Sequence, residues 1–143
     1  TAQFAGFLSE EAIAAYFGGK LISFDNNDER RFDYDLIVDN RHIEIKAKQR
    51  TVPPQPHYTV GVGKHSEHQD ADMFYFTSLE WATRTDGLYA GLKHIWFVGG
   101  KQRDDFFEQA ELVRKDQHQG YNGWRASADV YNLPISKLDA IYV

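Results

Sequence analysis

Apolar residues first recur at helical spacing near the start of the chain, where Phe7, Ile13, Ala14 and Phe17 fall on one stripe with Glu10 among them. Ser9 is placed to cap a helix beginning at Glu10, and Gly18-Gly19 would end it. The pattern then shortens to strand length. Residues 20–24 read as a strand closed by Asp25-Asn26-Asn27-Asp28, whose short polar side chains favour a turn. Residues 32–38 and 41–48 read as two strands, and Asp39-Asn40 between them tolerates the left-handed backbone of a tight hairpin. Residues 51–57 hold three of the four prolines and predict an irregular connection. Beyond it, 58–62 would resume the sheet, 65–70 form a short helix and 73–78 an aromatic-rich strand. A loop or lid is predicted over 80–93, then a buried strand over 94–98 with Trp96 in the core, ended by Gly99-Gly100. Residues 103–115 predict a helix with Phe106, Phe107, Ala110 and Val113 as its apolar face, and 128–143 a strand, a proline-broken turn and a last short strand. No internal repeat is visible, so the expected fold is α/β, a mixed sheet flanked by helices.

Composition narrows this further. The 143 residues, 42% of them hydrophobic, suffice for one core and one domain over 1–143 and are too few for two. Absence of cysteine excludes a disulfide framework, a thiol nucleophile and the Cys-rich zinc and iron–sulfur sites. The longest apolar runs, such as Ile95 to Val98, fall far short of the roughly 18 residues of a membrane span. Thr1-Ala2-Gln3-Phe4 shows neither a basic n-region nor an apolar h-region, so a cytoplasmic location is expected. A net charge of −5 argues against attachment to nucleic acid by net charge alone. Its distribution matters more. From Arg30 to Arg50 the bases Arg30, Arg31, Arg41, Lys46, Lys48 and Arg50 outnumber the acids Asp33, Asp35, Asp39 and Glu44.

Strand alternation puts Glu44 and Lys46 on one side and Ile43, Ile45 and Ala47 on the other. Asp35 stands at the start of an apolar run across the hairpin, where packing alone does not explain a charge. Two carboxylates brought close repel unless a cation lies between them, and hard oxygen donors select Mg²⁺ or Mn²⁺. Glu10 is the odd acid on its helix stripe, whereas Glu11 points about 100° away.

These residues carry a resemblance. Ser9-Glu10, Ile13-Ala14 and Gly18, then Tyr34 to Val38, then Ile43-Glu44-Ile45-Lys46 resemble the helix-acid, strand-Asp and E-x-K pattern of the PD-(D/E)xK nuclease superfamily. That superfamily includes restriction-endonuclease-like proteins and archaeal-type Holliday junction resolvases. The resemblance covers residues 7–51, and Glu44-Ile45-Lys46 is the one acid-x-Lys match in the chain. It departs from the pattern in having Tyr34, not proline, before the Asp. What it implies is a restriction-endonuclease-like sheet and a metal-dependent nuclease acting on nucleic acid, DNA in the first instance. Asp35, Glu44 and the Ile45 carbonyl would hold Mg²⁺ or Mn²⁺. Lys46 would orient or help deprotonate the attacking water, and Glu10 would add a ligand or hold a metal-associated water. Lys48 and Arg50 would contact flanking phosphates. Two alternatives stand beside this reading: a Holliday junction resolvase or recombination nuclease, acting as a symmetric homodimer, and a non-catalytic nucleic-acid-binding protein of the same fold.

Other signals are weaker. His65 and His68 stand at i, i+3 with Glu67 and Asp70 nearby, but six histidines in one chain make such pairs common. Gly61-Val62-Gly63-Lys64 lacks the spacing of a phosphate loop and reads as a strand-edge turn. Tyr89 and Trp124, each beside glycines, are the aromatics placed to meet a substrate.

Overall fold

Two antiparallel hairpins and one parallel pairing organise the molecule. The computed structural model describes residues 2–17, 20–21, 36–68, 70–116 and 128–140. Helix α1 (Ala2–Phe17) leads to β1 (Lys20–Leu21), β2 (Leu36–Val38) and β3 (Arg41–Arg50). Asp39 and Asn40 adopt φ of 50° and 63°, the paired left-handed turn that the short polar side chains permit. β4 (Thr59–Gly63) and a 3₁₀ turn (Lys64–His68) cross over to β5 (Met73–Thr85), which lies parallel to β3. β6 (Leu88–Gln102), α2 (Arg103–Gln109), β7 (Glu111–Val113) and β8 (Val130–Pro134) follow. The larger sheet runs β1-β2-β3-β5-β6 and the smaller β4-β8-β7. The fold is therefore mixed α/β, with two sheets.

Five expectations are corrected. Residues 58–62 do not rejoin the first sheet. β5 occupies the place beside β3, and the Pro53, Pro54 and Pro56 segment carries β4 off to pair with β8. Residues 80–93 are not a lid but most of a long hairpin, because Asp86 and Gly87 supply consecutive positive φ of 50° and 76°. Helix α2 stops at Gln109, where the Ala110 N–H closes on the Phe106 carbonyl and β7 begins. Helix α1 starts seven residues before Ser9, so Ser9 is no cap: fully buried, its Oγ lies 2.7 Å from Thr77 Oγ1 on β5. Trp96, expected in the core, is 39% exposed. Residues 22–35, which include most of the predicted first and second strands, lie outside the described residues.

β5, between β3 and β6, is buried on both faces from Phe74 to Trp81. On one face Ile43, Ile45 and Tyr75 pack with Leu36 and with Ile13 of α1. On the other, Phe74 and Phe76 meet Val60, Val62 and Leu133 of the smaller sheet and Phe106 of α2. Phe74 and Phe106 cross edge to face with centroids 5.5 Å apart. Burying such side chains contributes about 1.5–3 kcal/mol each, which lets a chain with few helices hold two sheets together.

Candidate functional site

β3 supplies the charged side chains. Ile43 and Ile45 turn toward α1, and the strand period then commits Glu44, Lys46, Lys48 and Arg50 to the opposite face, toward the smaller sheet. Pairing with β5 and β6 sets these residues in rows across the sheet: Glu44, Phe74 and Lys101; Lys46, Phe76 and Gly99; Lys48, Ser78 and Trp96; Arg50, Glu80 and His94.

Glu44 is 6% exposed, and Lys46 Nζ donates to its Oε1 at 2.8 Å. A carboxylate this deep in a sheet face requires a cation, which Lys46 provides without leaving its own strand. Lys46 Nζ also lies 3.3 Å from Oγ of buried Ser66, on the 3₁₀ turn. That turn is clamped. Tyr131 OH of β8 donates to Glu67 Oε2 at 2.9 Å, Lys64 Nζ lies 3.3 Å from Glu67 Oε1, and the Arg103 guanidinium donates to the Glu67 carbonyl. Ser66 is thus held where it fixes the ammonium of Lys46. No sequence signal marked it, since its reach depends on how the turn docks on β8 and α2.

Glu10 is half-buried and Glu11 exposed. Glu10 belongs to the helix that covers the Ile43 and Ile45 face, whereas Glu44 and Lys46 point to the other side of the sheet. Asp35 lies outside the described residues. Its neighbour Leu36 is buried and pairs with Ile43, the residue before Glu44. Among the described residues no three His, Asp or Glu side chains converge as a metal-holding group. Among the described residues the Glu44 side of the sheet offers one buried carboxylate, a hard oxygen donor that does not by itself make a site for a divalent cation.

Further along the face, Arg50 donates to Ser78 Oγ at 2.8 Å and to the Thr59 carbonyl at 2.9 Å, with its guanidinium over the Tyr58 ring. It joins the two sheets as well as carrying charge. Burial, with the Arg50 charge beside it, lowers the Lys48 ammonium from 10.5 to about 8. His65 is exposed, and an added Cβ at Gly63 would stand 2.5 Å from its ring, so β4 ends in a packed turn and not in a phosphate cradle. The His68 side chain and Trp124 lie outside the described residues. Tyr89 is half-buried, donating to the Gln49 carbonyl at 3.2 Å under the Arg84 guanidinium. A feature missed from sequence is buried Glu80, whose Oε1 accepts Trp96 Nε1–H at 3.0 Å and His94 Nδ1–H at 3.1 Å, with Lys93 Nζ 3.4 Å from Oε2. The Trp96 hydrogen bond is the main reason that Glu80 ionises below the usual carboxylate range, helped by His94 and Lys93 against the effect of burial.

No family model, curated protein or solved structure matches the chain. Among the described residues no helix is long and apolar enough to cross a membrane.

Proposed function

We propose that this chain is a metal-dependent nuclease with a restriction-endonuclease-like arrangement, hydrolysing phosphodiester bonds in nucleic acid, DNA in the first instance. The observation that carries the reading is the Glu44–Lys46 pair: a buried carboxylate and an ammonium 2.8 Å apart on one strand face, in an acid-x-Lys spacing beside a hairpin whose other strand follows Asp35. Glu44, Asp35 and the Ile45 carbonyl would hold Mg²⁺ or Mn²⁺, and the bound cation would supply charge stabilisation for the leaving oxygen and acidify the attacking water. Lys46 holds a proton at Nζ, orients the water through it and offsets the charge that builds on phosphorus. Ser66 positions Lys46. As the water oxygen bonds to phosphorus it gives up a proton to solvent, the P–O bond to the leaving oxygen breaks, and that oxygen is protonated from solvent. Because α1 covers the opposite sheet face, Glu10 is given no part at the metal.

Labelled duplex, single-strand, four-way-junction and RNA substrates, incubated in Mg²⁺ or Mn²⁺, test this beside Asp35→Ala and Lys46→Ala. Cleavage is expected from the unaltered chain alone, and activity surviving in both variants rejects the site. Preference for the junction would select the resolvase form of the reading, a homodimer. Tight binding without turnover in Mn²⁺ would select a non-catalytic nucleic-acid-binding protein.

A further inference from the structure

The two outer rows of the charged sheet face are chemically unlike the rest of the molecule. Lys48, Ser78 and Trp96 form one row and Arg50, Glu80 and His94 the next. Lys93 joins them by a register irregularity. Glu80 pairs with His94 and Trp81 with Leu92, leaving Lys93 as the extra residue, and a bulge of this kind turns a side chain out of strict alternation. In a chain of net charge −5, this patch sets Lys48, Arg50 and Lys93 against a single carboxylate that is itself 3% exposed. The surface left to solvent is cationic and aromatic: the Lys93 and His94 side chains are exposed, and so is the Trp96 indole.

The aromatic surface is also fixed. Glu80 Oε1 accepts from both Trp96 Nε1–H and His94 Nδ1–H, and the two rings stand 5.3 Å apart at 52°. One buried carboxylate therefore orients an indole, an imidazole and an ammonium together. An exposed tryptophan that serves only as loose surface needs no such anchor, whereas a platform for a flat ligand gains from one, because little side-chain freedom remains to be lost on binding.

We infer that this patch binds an unpaired nucleobase and its phosphate, the base stacking on the Trp96 indole beside His94 and the phosphate meeting Lys93 and the field of Lys48 and Arg50. Exposed aromatic faces flanked by cations are what single-stranded nucleic acid requires, since every base offers a π-face and every linkage a negative charge. The position fits a strand that also enters the proposed active site. Lys46 and Arg50 lie on the same face of β3, about 13 Å apart at the rise of an extended strand. The choice of ligand rests on the nuclease reading, and the inference extends it by naming single-stranded nucleic acid as what the outer rows hold.

Binding of a fluorescein-labelled oligothymidine of about twelve nucleotides, followed by anisotropy in EDTA, tests the inference apart from any cleavage. Trp96→Ala and Trp96→Leu are each expected to weaken binding about tenfold, and Trp96→Phe, which keeps a π-face but loses the indole donor, to retain most of it. Lys93→Gln is expected to lower the salt slope by about 0.7, one phosphate contact on a single strand. The Phe variant guards against misfolding, since it disturbs the Glu80 anchor yet is expected to bind. Absence of binding, equal binding by the unaltered and Leu variants, or Trp96-dependent self-association in sedimentation would each overturn the inference. Trp96-dependent binding by a chain that cleaves nothing in Mg²⁺ or Mn²⁺ would support it and sink only the nuclease reading.

Discussion

Lys46 Nζ lies 2.8 Å from Glu44 Oε1 although only one residue separates them, so the pair closes within a single strand face and does not depend on the rest of the sheet for its register. Removing the ammonium leaves a carboxylate 6% exposed without its nearest counter-charge. Lys46→Met is therefore expected to cost about 1–3 kcal/mol, at the lower side of buried pairs because the lysine is partly solvated. Adding Glu44→Gln to it should return part of that stability and none of the nuclease activity. Urea melts and cleavage assays on the two single variants and the double variant separate the structural share from the chemical one.

The Ser9–Thr77 hydrogen bond, 2.7 Å and fully buried at Ser9, joins α1 to β5. Its loss in Ser9→Ala should cost about 1–3 kcal/mol, because the Thr77 hydroxyl is left unsatisfied in the core. Ser9→Gly should be worse than Ser9→Ala by about 1 kcal/mol, the helix-interior penalty of glycine. At a helix cap the order reverses, glycine being preferred to alanine there. Thermal or urea melts of the two variants decide between these positions.

Legibility in the sequence followed the range over which each signal acts. The β2–β3 hairpin and the shared face of Glu44 and Lys46 depend on adjacent residues, the Asp39-Asn40 turn and the period of two, and both could be read directly. The β5–β6 hairpin has an equally local turn in Asp86-Gly87, but beyond Trp81 its strands are largely exposed on both faces, so the alternation that reveals a strand is missing. Trp96 sits within an apolar run that reads as core, yet alternation turns it to the face of Glu80 while Ile95 and Phe97 pack inward. That β4 joins β8 in a second sheet, and that Ser66 reaches Lys46, depend on contacts between distant segments that no local pattern encodes.

Lys48 predicts a distinct pH dependence. Its folded pKa, about 8, lies below the usual 10.5, so between these values the unfolded chain binds more protons and stability rises with pH through this group. Below pH 8 the folded protein carries a poorly solvated charge at constant cost. Lys48→Met should accordingly raise stability at pH 7 by about 1–3 kcal/mol, a pKa unit being worth about 1.4 kcal/mol. The gain should shrink from pH 8 upward and vanish above 10.5. Parallel urea melts of both chains from pH 7 to 10.5 measure it, and a difference that does not change with pH would contradict the assignment.

Two glycines predict opposite responses to alanine. Gly99 has φ +140°, and a Cβ there would stand 2.8 Å from both the Asp139 carbonyl oxygen and Leu138 Cβ. The obstacle is backbone that cannot swing aside, since Gly100 and Asp139 exchange both of their backbone hydrogen bonds at 2.9 Å. Gly99→Ala should cost about 3 kcal/mol, strain and clash combined, and lower Tm by roughly 8 °C. Gly6 lies within α1, and a Cβ there meets nothing within 4 Å. Gly6→Ala should stabilise by about 0.5–1 kcal/mol, because glycine loses the most backbone freedom on entering a helix. Urea midpoints moving in opposite directions with unchanged m-values confirm both, and a neutral Gly99→Ala would show that Leu138 and Asp139 do not pack firmly against the end of β6.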